Sequence, residues 1–181
     1  MTKFVVGLTG LGSSMFSGFR KPIELPFKEL SIRATTTGHN VFIQRVWDKW
    51  EEAYMEVVRA YKPGDKVVIL AHSWGASAAT LLAARLAAKG IFIDLFISED
   101  QGLDSIWLKG LEKAFVVRDV PVGANVKELW EIHVVYERLT IAKSFMGKHV
   151  YEDAGSLPGG HTTTFTSDAF VDRVVARINA V

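Results

Sequence analysis

Short apolar runs along this chain alternate with longer stretches in which apolar residues return every three or four positions. Phe4 to Thr9 reads as a buried strand, ending in the glycine-rich Gly10-Leu11-Gly12-Ser13-Ser14. A second strand is predicted over Glu29 to Ala34. Asn40 reads as the N-cap of a long helix, because Ile43, Val46, Trp47, Trp50, Tyr54, Val57, Val58 and Tyr61 keep helical spacing. Lys62-Pro63-Gly64-Asp65 ends that helix as a turn. Lys66 to Ala71 predicts the next buried strand, and Ala76 to Lys89 an alanine- and leucine-rich helix stopped by Gly90. Ile91 to Ser98 is a further buried strand. Leu103 to Phe115 has Trp107, Leu108, Leu111 and Phe115 along one side of a helix, Leu129 to Tyr136 suits a strand, and Val150 belongs to a short last one. Ser167 caps a closing helix with Phe170, Val171, Val174, Val175 and Ile178 towards the core.

Strands alternating with helices, each strand almost wholly apolar, point to an α/β fold whose parallel sheet is covered on both faces. With right-handed crossovers the result is a three-layer α/β sandwich, formed as a single domain over residues 1–181. Length and composition agree: 181 residues, 49% of them hydrophobic and 23% charged, suffice for one core. The formal charge of +1 gives no reason to expect nucleic acid as a partner. The chain has no cysteine, which excludes disulfides, thiolate metal sites and a cysteine nucleophile. Met1-Thr2-Lys3-Phe4-Val5-Val6-Gly7 lacks the pattern of a signal peptide, and no apolar run reaches the roughly 18–20 residues of a membrane span. A cytoplasmic protein is expected, and a phage product released by lysis would look the same.

The sharpest local pattern is Val67-Val68-Ile69-Leu70-Ala71-His72-Ser73-Trp74-Gly75-Ala76-Ser77, a serine between a buried strand and a helix with small residues two before and two after. Such a sharp turn forces the serine into a strained backbone, so its neighbours must be small for strand and helix to pass. The hydroxyl then stands clear of the sheet, at the positive end of the following helix. Ser73 is therefore the expected nucleophile. The bland alternative is a strand–turn–helix with a capping serine. His72 is expected to be structural, because adjacent strand residues point to opposite faces.

A serine hydroxyl needs a base, and the base an orienting acid. Of the five histidines, His39 precedes the serine, His72 adjoins it, His133 lies in a buried strand and His149 sits at a strand start. His161 follows Leu157-Pro158-Gly159-Gly160 in a loop before the last helix, and is the expected base. Asp100 is the best-placed acid, directly after the strand that ends Phe96-Ile97-Ser98-Glu99. Glu99, Asp104 and Asp153 are held in reserve, Glu137 is the choice if the acid lies one strand later, and Asp94 falls too early in its strand. The backbone N–H groups of Trp74 and Leu11 are the expected oxyanion donors. The Gly10-Leu11-Gly12 loop lacks the Lys-Ser/Thr pair of a phosphate loop and the third glycine of a dinucleotide loop. Phe16, in an apolar stretch after it, is expected to flank the substrate.

With these residues in place the chain resembles the α/β hydrolases, in particular small phage and bacterial members that begin at the third strand of larger enzymes. The resemblance rests on Gly10 to Gly18, Ala71-His72-Ser73-Trp74-Gly75, Ile93 to Asp100, and Gly160-His161-Thr162. It implies a Ser73–Asp100–His161 triad and a minimal α/β-hydrolase fold without a large cap domain, since only about Gln101 to Lys127 is free to form a cap. Ala71 stands where glycine is usual, and no histidine precedes Gly10. The expected activity is hydrolysis of a small-molecule carboxylic ester, without cofactor or metal. A thioesterase or amidase would share every site residue, and a binding or virion-associated protein would share the fold alone.

Overall fold

The computed structural model describes residues 1–10, 33, 40–99, 125–133, 147–153 and 168–181. Among the described residues six strands form one sheet: β1 (Lys3–Thr9), β2 (Asn40–Val46), β3 (Lys66–His72), β4 (Leu95–Glu99), β5 (Glu128–His133) and β6 (Lys148–Asp153). Their order is β2-β1-β3-β4-β5-β6, and every neighbouring pair is parallel. Three helices are described, α1 (Trp50–Ala60), α2 (Gly75–Ala87) and α3 (Asp168–Ala180), with a 3₁₀ turn at Trp47–Lys49.

Alternation along the strands sorts the core into two halves. Phe4, Val6, Leu8, Val67, Ile69, Phe96 and Leu129 meet α1 and α2 residues such as Val57, Ala79, Leu82 and Leu86. Val5, Val68, Leu70, Leu95, Ile97, Trp130 and Ile132 meet Phe170, Val171, Val174, Val175 and Ile178 of α3. The apolar stripe expected of the closing helix is thus buried throughout. The strands read as unbroken apolar runs because both faces are covered.

The region between the first and third strands differs from expectation. Asn40 does not cap a long helix: residues 40–46 form β2, paired with β1 from Lys3↔Asn40 to Thr9↔Val46, and the helix occupies only Trp50–Ala60. Neighbouring Phe42 and Ile43 pack into opposite core halves, which a strand allows and a helical stripe does not. Spacing alone misleads here because Val46, Trp47 and Trp50 continue an apparent helical series across the strand end. The strand expected over Glu29 to Ala34 is overturned at the one position described, Arg33, which is helical and pairs with Asp168 and Asp172 of α3 at 2.5 and 2.6 Å. The strand expected from Ile91 begins at Leu95, preceded by an isolated bridge between Ile93 and Val126. The helix expected over Leu103 to Phe115 lies outside the described residues, as does nearly all of the span free for a cap. No helix among the described residues is long and apolar enough to cross a membrane.

The chain leaves β1 for the edge strand β2, returns past β1 to β3, and then proceeds in one direction to β6. The strand order therefore reverses between β1 and β3. A crevice opens outside the carboxyl ends of strands at such a reversal, and it is where open α/β sheets collect their ligands.

Candidate active site

Ser73 sits at that reversal, one residue beyond β3 and two before α2. It is the one non-glycine residue with positive φ among the described residues, at 55°. A left-handed serine costs about 1–3 kcal/mol and persists only where surrounding structure holds it. Here the Ser73 N–H donates to the Glu99 carbonyl at 3.0 Å, and the Ser73 carbonyl accepts from the Ala76 N–H at 3.0 Å. Glycine is required two residues on. A Cβ on Gly75 would stand 2.0 Å from the Leu8 carbonyl oxygen, so the start of α2 lies directly on the β1 backbone. The N-cap of α2 is Trp74, and no side-chain cap bond is made there.

Gly10, directly after β1, lies against the same point. A Cβ on Gly10 would fall 2.7 Å from the Ser73 Cβ, 2.9 Å from its Oγ and 3.2 Å from the Trp74 nitrogen. The absent side chain of Gly10 thus lets its backbone approach both the hydroxyl and the Trp74 N–H. The Trp74 side chain turns into the core, where it meets Trp47 edge to face with centroids 5.7 Å apart. Ser73 itself is 8% exposed.

His72 and Glu99 face each other in the β3–β4 ladder. Alternation places both towards α3, with Leu70 and Ile97. His72 Nε2 lies 3.3 Å from Glu99 Oε2, and Glu99 is fully buried. Sequence reasoning placed His72 in a structural role and Glu99 in reserve, but missed that they meet. The even count from each strand's apolar residues gives the face; the register that sets them opposite is tertiary. Ser98 and Glu131, paired across β4 and β5, are buried towards α2, another polar pair that was not foreseen.

Asp100 follows Glu99, the last residue of the strand beside the one that delivers Ser73, but Asp100 itself lies outside the described residues. So do His161, Leu11, Phe16, His39, Asp104 and Glu137. His161 falls in the connection between β6 and α3. His133 and Asp153 end β5 and β6, and their backbones pair. Asp94 lies at the opposite, amino edge of the sheet. Its carboxylate accepts from Lys127 Nζ at 2.5 Å, the Val67 N–H at 3.1 Å and Lys66 Nζ at 3.2 Å. Burial alone would raise its pKa; Lys127, the Val67 N–H and Lys66 together outweigh burial and lower it. Asp94 thus fastens the start of β4 to β3, far from the crevice.

No family model matches the sequence, and no curated protein matches it at a significant level. Solved structures do match in fold. The Vlm2 thioesterase domain, in a structure carrying genetically encoded 2,3-diaminopropionic acid with a bound dodecadepsipeptide, superimposes with a TM-score of 0.55 at 14% identity. The match covers 98% of this chain and 93% of that one. Mouse alpha/beta hydrolase domain-containing protein 10 superimposes with a TM-score of 0.51 at 11% identity, over 98% of this chain and 88% of its own. The chain has the α/β-hydrolase fold.

Proposed function

We propose that this α/β-hydrolase fold carries a serine hydrolase that cleaves carboxylic esters through an acyl-Ser73 intermediate. The observation that carries the reading is the left-handed Ser73 at the β3–α2 turn, packed against Gly10 at the strand-order reversal. A backbone strained at a crevice and held from three sides has a functional explanation more readily than a structural one.

In this mechanism Ser73 Oγ attacks the ester carbonyl while His161 takes its proton. The negative charge that develops on the carbonyl oxygen is held by the N–H groups of Trp74 and Leu11, at the positive end of α2. His161 then passes the proton to the departing alcohol, and a water deprotonated by His161 hydrolyses the acyl-serine. Asp100 holds the imidazole in the required tautomer and stabilises the imidazolium. Phe16 flanks the acyl group. No metal or cofactor enters, since nucleophile, base and oxyanion donors all come from the chain.

A fluorophosphonate probe should label the wild-type protein at Ser73, and short p-nitrophenyl esters should turn over. Ser73→Ala should abolish labelling and reduce turnover by several orders of magnitude. An unlabelled wild type, or equal labelling of the alanine variant, overturns the assignment. Matched ester, thioester and amide substrates of one acyl chain then rank the bond types.

A further inference from the structure

The strained turn that presents Ser73 is bounded by two residues for which the proposed chemistry has no use. Glu99 ends β4 with its carboxylate fully buried. A carboxylate without water is costly unless a cation or a proton accompanies it. A group beside it is the His72 imidazole, whose Nε2 lies 3.3 Å from Glu99 Oε2. The same Glu99 accepts the Ser73 N–H on its backbone carbonyl at 3.0 Å. One residue of β4 therefore grips two consecutive residues, the last of β3 and the one after it: His72 through its side chain and Ser73 through its backbone.

We propose that His72 and Glu99 form a clamp that holds Ser73 in its left-handed conformation, making both of them positioning residues for the nucleophile. Left-handed serine relaxes readily unless its flanking peptide groups are fixed. The bond from the Ser73 N–H fixes one of them, but only while the last residue of β4 keeps its place. The His72 contact keeps it there by tying the Glu99 side chain to the preceding residue of the turn. The catalytic consequence rests on Ser73 being the nucleophile; the conformational consequence does not.

The test compares His72→Gln with His72→Leu. A glutamine amide nitrogen reaches about as far as the imidazole Nε2 and keeps a donor for Glu99, whereas leucine keeps bulk alone. Amide hydrogen exchange at Ser73, read by NMR, should be slow in the wild type and in His72→Gln. In His72→Leu it should be at least about tenfold faster, with amides in the middle of β1 unchanged. The phosphonate labelling rate should fall about tenfold in His72→Leu and stay within about threefold of wild type in His72→Gln. If His72→Leu does not fold, His72→Asn replaces it, because its amide ends nearer the imidazole Nδ1. Wild-type protection of the Ser73 amide in whichever of these folds, or equal exchange in it and His72→Gln, overturns the clamp. A wild type that exchanges as expected but is never labelled by phosphonate sinks the hydrolase reading and leaves the clamp standing.

Discussion

Two glycines set the geometry around Ser73, and they should fail in different ways. Gly10→Ala places a methyl group 2.7 Å from the Ser73 Cβ and 2.9 Å from its hydroxyl. Gly10 lies beyond the end of β1, outside the sheet ladder, so the fold should survive with a small drop in melting temperature. The close approach of the Gly10 backbone to the hydroxyl should not survive: kcat/KM should fall at least about a hundredfold, the scale of losing an oxyanion donor. Gly75→Ala drives its methyl group to 2.0 Å from the Leu8 carbonyl, and neither backbone can give way. Urea unfolding should show at least about 3 kcal/mol lost. The acid is also decided at this scale. Asp100→Asn should keep the fold and a phosphonate-reactive serine while turnover drops by roughly three orders of magnitude or more. Changes at Asp104 and Asp153 should be mild, and Glu99→Gln intermediate through the clamp. Near-normal turnover in Asp100→Asn, with collapse in Glu137→Gln, would move the acid to the following strand.

The elements meet at the site through Trp47 and Trp74. Trp47 belongs to the 3₁₀ turn that joins β2 to α1, and Trp74 caps α2 directly after the proposed nucleophile. Their edge-to-face contact joins the edge of the sheet to the elbow. Trp47→Ala should cost about 3 kcal/mol as a large buried side chain lost from the α1–α2 layer. It should also slow phosphonate labelling per folded molecule, because the Trp74 peptide loses its anchor. A stability loss with an unchanged labelling rate would confine Trp47 to packing. On the other face, Arg33 bridges to Asp168 and Asp172 near the start of α3, adjoining the connection that holds His161. These are exposed pairs and worth little stability singly.

At the scale of the whole molecule the two edges of the sheet divide the work. Among the described residues Gly10, His72, Ser73 and Glu99 gather at the carboxyl edge, while the amino edge is closed by Asp94, Lys66 and Lys127, and by Asp65, which accepts the Thr2 N–H at 2.6 Å. The lowered pKa of Asp94 makes this closure pH-dependent. Its stabilisation is fully present above the ordinary carboxyl value of 3.8 and is lost as pH falls through the lower folded value. Asp94→Asn should therefore lower the urea midpoint at pH 7, by the equivalent of about 1–3 kcal/mol. The gap from wild type should shrink towards pH 3. Ester turnover per folded molecule should be unaffected at pH 7, because the amino edge lies across the sheet from Ser73. A gap that stayed constant with pH would mean that the Asp94 charge contributes nothing.

The sequence by itself determined the elements whose local signals agree. The buried parallel strands, the α2 helix ended by Gly90 with φ of 69°, and the five-residue apolar stripe of α3 each follow from composition and period. It also determined that a serine stands at a strand–helix turn between small residues, because the steric demand of that turn is itself local. Tertiary structure decided what has no local signature. Residues 40–46 form a strand because β1 offers an unpaired edge, and backbone pairing there outweighs an accidental helical spacing in Ile43, Val46 and Trp47. Register decided that His72 meets Glu99 and that Gly10 lies against Ser73, since partners 27 and 63 residues apart are joined only when three strands align. Side-chain period tells which way a residue points; which residue stands opposite is fixed only when the hydrogen-bonded ladder forms.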